Sequence, residues 1–149
     1  MTDQEVLNFV ETYPDAAMIT LRADGSAHMA RVEIAVSDGH IRSTGSPTLV
    51  RTRNLRRDAR CSLFVFGPHP HWLGLETEVA VLDGPEAPDL LFELMVARHK
   101  DAAPPGMVLA HDDRLGHDRP YSREELIEQL KRERLFIYEF KVLRAYGNP

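Results

Sequence analysis

Residues 43–60, Ser-Thr-Gly-Ser-Pro-Thr-Leu-Val-Arg-Thr-Arg-Asn-Leu-Arg-Arg-Asp-Ala-Arg, hold the densest set of side chains able to do chemistry. Arg51, Arg53, Arg56, Arg57 and Arg60 are opposed locally only by Asp58, in a chain whose formal net charge is -5. A basic cluster on an acidic protein points to one anionic ligand held at one place, not to a whole-surface attraction for nucleic acid. Ser43, Thr44, Ser46 and Thr48 can donate hydroxyl hydrogen bonds to phosphate oxygens. Gly45 lets the backbone come close, and a helix starting near Pro47 adds its N-terminal N–H groups. A solvated arginine-rich helix face after a turn has the same spacing and is common.

Other residue sets carry weaker signals. His69 with His71, and His111 with His117, do not match a standard zinc spacing and fall in expected loops, so no metal is expected. Glu76 and Glu78 point to one side of a strand, which an acid/base pair and plain alternation explain equally; alternation is the reading favoured. Trp72 is either a core residue or a platform for a cofactor or a second subunit. Cys61, the only cysteine, sits in the apolar run Cys-Ser-Leu-Phe-Val-Phe and reads as core. With no disulfide, no membrane-length apolar run and no signal-peptide pattern, the expectation is a cytoplasmic protein with no membrane partner.

The elements that position these residues are mostly strands. At 149 residues the chain fits one domain, 1–149. Thr2 and Glu5 can form a capping box, and Val6, Phe9, Val10 and Tyr13 recur at helical spacing before Pro14. Strands are expected at about 16–22, 26–37, 40–44, 60–66, 72–82 and 134–146. Ala23-Asp24-Gly25 and Asp38-Gly39 turn the first three into a meander. Helices are expected near 47–58, at 88–99, and from Ser122, where Glu125 completes a second capping box. Residues 101–121 read as a long loop. Six largely hairpin-connected strands with few helices make a mainly β (α+β) antiparallel barrel with accessory helices. Gly-x-Gly-x-x-Gly, Walker and Gly-x-Ser-x-Gly motifs are absent.

Leu21-Arg-Ala-Asp-Gly-Ser-Ala-His28, Val36-Ser-Asp-Gly39, Ser43-Thr44 and Arg51-Thr-Arg-Asn-Leu-Arg-Arg-Asp58, in this order and spacing, resemble the pyridoxamine 5′-phosphate oxidase-like superfamily. That superfamily includes flavin- and deazaflavin-dependent oxidoreductases. The likeness covers about 16–83, and 134–147 more loosely. It implies a six-stranded antiparallel split β-barrel of the FMN-binding type and a homodimer with two cofactor sites in the seam. It also implies phosphate held by Ser43, Thr44, Ser46, Arg51, Thr52, Arg53 and Asn54. The cofactor ring would lie over a strand containing Arg31, Val32 and Glu33, and the partner chain would reach in near Trp72. Relatives often have lysine at Arg51; arginine keeps the charge and adds a planar fork. Arg31 and Glu33 replace a proline and an aromatic residue frequent in one deazaflavin branch, and Thr77 replaces a common glycine, so the ring environment differs.

The resemblance implies an oxidoreductase that moves hydride through a flavin-type cofactor to a small organic acceptor. The deazaflavin coenzyme F-420 is favoured over FMN, because its longer anionic tail suits five arginines in one stretch. No residue need be an obligate acid or base. The alternative is a non-catalytic flavin- or deazaflavin-binding or storage protein. The homodimer has its own sequence motive. Leu63 and Val65 alternate with Phe64 and Phe66, and Trp72, Leu73 and Leu75 open the next strand, so both faces are apolar and a second burial surface is needed. The interface is expected to reach on the order of 2,000 Å² in total.

Overall fold

The computed structural model describes residues 1–99 and 103–149. Helix α1 (Asp3–Thr12) starts at the expected capping box. The Thr2 hydroxyl accepts from the Glu5 N–H at 3.2 Å, and the Glu5 carboxylate accepts from the Thr2 N–H at 2.6 Å. Its apolar stripe of Val6, Phe9 and Val10 is buried, and the ring of Tyr13 packs against Phe9.

A curled antiparallel sheet follows, with strands β1 (Asp15–Leu21), β2 (Ala27–Glu33), β3 (Ala35–Ser37), β4 (His40–Gly45), β5 (Arg60–Phe66) and β6 (Trp72–Leu82). The remaining elements are α2 (Val50–Arg57), α3 (Ala87–Arg98), β7 (Met107–Asp112), β8 (His117–Ser122), α4 (Arg123–Glu133) and β9 (Phe136–Asn148). The main sheet has seven strands in the order β2-β1-β5-β6-β9-β4-β3. Its two edge strands, β2 and β3, are consecutive in the chain and joined through Ile34 alone, so the sheet must curl to bring its edges together.

Seven strands replace the expected six because the single strand at 26–37 breaks at Ile34. The Ile34 N–H leaves the ladder and donates to the Pro14 carbonyl at 2.8 Å. The break resets the alternation: Val32 and Ile34 are buried, and so are Ala35 and Ser37. Ala35 therefore does not share the outward face of Met29, Arg31 and Glu33. Asp38 and Gly39, both at positive φ (50° and 74°), close the tight turn between β3 and β4, as expected.

The loop expected at 101–121 is largely a two-stranded hairpin, β7–β8; residues 101 and 102 lie outside the described residues. Val108, Ala110 and Asp112 face inward, a period-2 pattern obscured in the sequence by the polar residues around it and by Pro120 in β8. Helix α2 begins at Val50, later than expected from Pro47; Leu49 caps it without a side-chain hydrogen bond. The last strand begins at Phe136, not 134, because Arg134 takes a left-handed conformation (φ 57°) that ends α4.

Two apolar clusters result. One fills the curled sheet, with Met18, Leu63, Val65, Leu73, Leu75, Phe136, Tyr138 and Phe140, and is covered at its ends by α1 and by Leu55 of α2. The other lies on the outer side of β3 and β9, where α3, α4 and the hairpin pack on Ala35 and Ile137. Arg42 is buried at this boundary. Its guanidinium meets Glu139 at 2.9 Å, so the charge is paired where burial would otherwise be costly. Among the described residues no helix is long and apolar enough to cross a membrane.

Candidate functional site

Strand β4 delivers the hydroxyl-rich turn, and strand alternation divides it. Ser43 and Gly45 pair with Tyr138 and Phe136 of β9 and face the barrel cluster; Thr44 pairs with Ile137 and faces the opposite side. The expected hydroxyls therefore do not converge as one set. Ser43 is buried and donates to the Glu33 carbonyl at 2.9 Å, a bond that ties β4 to the end of β2. The Thr44 Oγ1 is buried without a partner among the described residues. Ser46 and Thr48 lie in the turn before α2, their hydroxyls 3.4 Å apart.

Gly45 has a local reason to be glycine. A Cβ there would lie 2.5 Å from Tyr138 Cζ and 2.8 Å from Phe136 Cε1, so the missing side chain is the space the Tyr138 ring occupies. That ring brings its hydroxyl to Thr52 on the first turn of α2, and the Thr52 hydroxyl also donates to the Ser46 carbonyl at 2.6 Å. Burial pushes the Tyr138 phenol above its ordinary pKa, an effect offset in part by the Thr52 hydrogen bond and the Arg51 and Arg56 charges.

The arginines sort into two groups. Arg56 pairs with Asp83 at 2.8 Å and lies over the Phe136 ring. Arg57 donates to the Leu21 carbonyl and to the Asn54 side-chain oxygen at 2.7 and 2.9 Å. Arg60 grips Asp58 at 2.8 Å, holding that carboxyl down at a pKa of about 2. Asn54 is also committed, donating to the buried Thr20 hydroxyl at 3.0 Å. Arg51 differs: its Nε is buried and has no hydrogen-bond partner among the described residues. Arg53 is exposed on the same helix. Internal partners thus occupy the arginines at the end of α2, whereas in its first turn the Thr52 and Arg53 N–H groups donate to the Leu49 carbonyl at 3.1 and 3.4 Å and the Arg51 Nε is left without a partner among the described residues.

The other expected residues lie elsewhere on the chain. Arg31 is exposed on edge strand β2 and pairs with Asp15 at 3.2 Å. Val32 is in the core, leaving only its main chain to meet a ligand. Glu33 accepts at its carbonyl from Ser43 and from Arg98, the latter at 2.7 Å. Trp72 opens β6, whereas Leu82 at the other end pairs with Ile137, the neighbour of Thr44. At about 3.3 Å per residue the two ends of β6 stand roughly 33 Å apart. Within one chain, Trp72 and Arg51 do not meet. Trp72 stacks on Phe64, with ring centroids 5.2 Å apart, and meets Tyr146 edge-on. Phe66 (51% exposed) and Tyr146 (47%) extend this aromatic surface, which α3, α4 and the hairpin leave open.

Glu76 pairs with Arg144 at 3.4 Å and Glu78 is exposed, in keeping with strand alternation. Cys61 is buried and its thiol is pushed up to about 12 by burial, which makes it unreactive. Among the described residues no group of three or more His, Cys, Asp or Glu is placed to hold a metal. Tyr138 and Asp83 are the site neighbours that the sequence did not single out; the run Ile137-Tyr-Glu-Phe140 reads only as an alternating strand.

No protein-family model matches the chain, and no curated protein sequence matches it. Solved structures do. An F420 reductase is similar over 93% of this chain and 94% of its own, with 13% identity and a TM-score of 0.62. HutZ, the heme storage protein from Vibrio cholerae, is similar over 97% and 92%, with 11% identity and a TM-score of 0.62. A candidate pyridoxamine 5′-phosphate oxidase from Listeria innocua is similar over 97% of this chain and 96% of its own, with 10% identity and a TM-score of 0.64. The chain has the fold of the pyridoxamine 5′-phosphate oxidase-like split-barrel proteins, the superfamily its sequence resembles.

Proposed function

We propose that the protein binds a phosphate-bearing flavin-type cofactor and uses it to pass hydride to a small organic acceptor, with F-420 favoured over FMN. The observation that carries this reading is the state of Arg51. Asp83, Asn54 with the Leu21 carbonyl, and Asp58 engage Arg56, Arg57 and Arg60, while the Arg51 Nε is buried and unpartnered among the described residues. A buried cationic donor without an acceptor is costly, and a phosphate oxygen is the acceptor that would satisfy it.

In this reading Arg51 grips the phosphate, Arg53, Ser46 and the α2 N-terminus surround it, and Arg56 and Arg57 hold the helix in place. Thr52 and Asn54 serve from behind, as braces of the first turn and not as ligands. When bound, the cofactor supplies the hydride chemistry; the chain supplies binding, orientation and a fixed charge. Arg31, Val32 and Glu33 of β2 would line the cofactor ring, in a seam between two copies of the chain. The open aromatic surface of Phe64, Phe66, Trp72 and Tyr146 supports such a homodimer, since an apolar patch of this kind calls for a partner. It also supports the assignment of Trp72 to the partner's site, because Trp72 is remote from Arg51 of its own chain.

The test is stopped-flow reoxidation of the reduced cofactor on the protein against quinones, enones and tetrapyrroles. Acceleration by one acceptor class is the expected result. Tight binding with no acceleration by any acceptor would make the protein a storage or carrier protein instead.

A further inference from the structure

A cavity of about 380 Å³ lies at the junction of β2 and β3, between the last turns of α1 and α3. Its walls are apolar at Pro14, Val36 and Ala97, while Arg98, Glu33 and Glu11 bring charge to it. Arg98 is nearly withdrawn from solvent, with its side chain only 13% exposed. Its Nη2 donates to the Glu33 carbonyl at 2.7 Å. Its Nε is buried with no hydrogen-bond partner among the described residues, and the Glu33 carboxylate stands 3.7 Å from it. Burial pushes the guanidinium below its ordinary pKa, and the Glu33 charge acts the other way. A guanidinium only donates, so a buried one with donors unspent calls for an acceptor.

The surroundings decide which acceptor fits. An anion would meet the Glu33 and Glu11 carboxylates and the C-terminal ends of two helices, which carry partial negative charge. A cation would be repelled by Arg98 and could not accept from it. A neutral molecule with a carbonyl oxygen satisfies the guanidinium without either penalty, and its carbon skeleton suits the apolar walls. The volume is near the small end of the range for ligand pockets, roughly 300–1,000 Å³, which suits a single ring and not a tetrapyrrole. We propose that this cavity binds a neutral, carbonyl-bearing ring compound of the enone or quinone class, whose oxygen accepts a hydrogen bond from Arg98. Glu33 belongs both to this cavity and to the strand segment assigned above to the cofactor ring. The bound molecule is therefore the acceptor of the proposed reaction. That role, though not the binding itself, rests on the function proposed above.

Titration of the whole protein with 2-cyclohexen-1-one and with duroquinone tests the site, followed by NMR at the Arg98 Nε–Hε resonance and the Ala35 amide. The carboxylate of 1-cyclohexene-1-carboxylic acid serves as the anionic probe. Both neutral probes should shift the two signals saturably, and the carboxylate should bind more weakly than the enone. Arg98→Met should weaken the neutral probes about tenfold, the size of one lost hydrogen bond. Ala97→Leu keeps Arg98 and fills the cavity, so it should abolish binding of both. Urea midpoints show that each variant folds, and Ala97→Leu carries the test if Arg98→Met does not. Carboxylate binding as tight as that of the enone would overturn the proposal. So would undiminished binding in a folded Arg98→Met or Ala97→Leu, or no saturable shift with either neutral probe. Enone binding at Arg98 with no binding of FMN or F-420 would leave the site standing and defeat the function proposed above. Cofactor binding that depends on Arg51, with no enone or quinone at Arg98, would defeat this inference alone.

Discussion

Replacing Gly45 by alanine should be one of the most disruptive single-methyl changes in the chain. The added Cβ would stand 2.5 Å from Tyr138 Cζ, 2.8 Å from Tyr138 Cε1 and 2.8 Å from Phe136 Cε1. These are ring atoms of buried side chains, not ends of flexible ones, so a ring or the β4–β9 pairing must shift. Overpacking of this kind costs about 1–3 kcal/mol. Displacing the Tyr138 ring also breaks its bond to Thr52, adding about 1 kcal/mol. The sum, about 2–4 kcal/mol, is a large part of the ~5–15 kcal/mol typical of a domain. At about 2–4 °C per kcal/mol for a chain of this size, Tm should fall by roughly 4–16 °C. No positive φ is recorded at Gly45, so the cost is steric and not a matter of backbone freedom. Urea unfolding followed by tryptophan fluorescence measures it. A loss below about 0.5 kcal/mol would mean that Tyr138 is not held against Gly45, and would remove the basis for its link to Thr52.

Further outcomes follow from the same geometry. Arg51→Ala should lose on the order of 1.5–3 kcal/mol of cofactor binding, whereas Arg56→Ala, whose guanidinium is taken by Asp83, should lose little; equal losses in titration would contradict the division of the arginines. Removing Arg56 should also change stability by about 0–1 kcal/mol, since both partners of that pair are about half exposed. Phe66→Asp should convert a dimer to a folded monomer by light scattering at micromolar concentration, and a monomeric mass for the unmodified protein would refute the seam outright. Asp112 is held below the ordinary carboxylate value of 3.8 chiefly by its hydrogen bond to Arg119, with Arg114 assisting. A depressed folded pKa contributes stability above the unfolded value and loses it as pH falls through the folded one. The side-chain carboxyl carbon shift of Asp112 should therefore change only below about pH 4, and Asp112→Asn should remove that signal.

Much of the fold was legible because local chemistry agreed with its global role. The capping boxes at Thr2–Glu5 and Ser122–Glu125 started α1 and α4 where the sequence placed them, and Asp38-Gly39 could only be a tight turn. The strand break at Ile34 was hidden because Ala30, Val32, Ile34 and Val36 alternate without interruption in the sequence. What interrupts them is a tertiary bond, from the Ile34 N–H to the Pro14 carbonyl. The hairpin was hidden by its own polarity, since Asp112 is an inward residue paired by Arg119 from the other strand. At the site, residue type correctly marked where cations gather but not which were free. Ser43 is engaged by the Glu33 carbonyl, Asn54 by Thr20, and Arg56 by Asp83, partners that local spacing does not reveal. Tyr138 escaped notice for the same reason: it meets Gly45 and Thr52 only because β4 and β9 pair in register.

Binding of the two cofactors to the purified protein tests the central claim most directly. Titration with FMN and with F-420, followed by fluorescence quenching, should give saturable binding of one cofactor per chain, tighter for F-420. Loss of that binding in Arg51→Ala should accompany it. Clear preference for FMN would reverse the choice of cofactor, and no saturable binding of either would contradict the account.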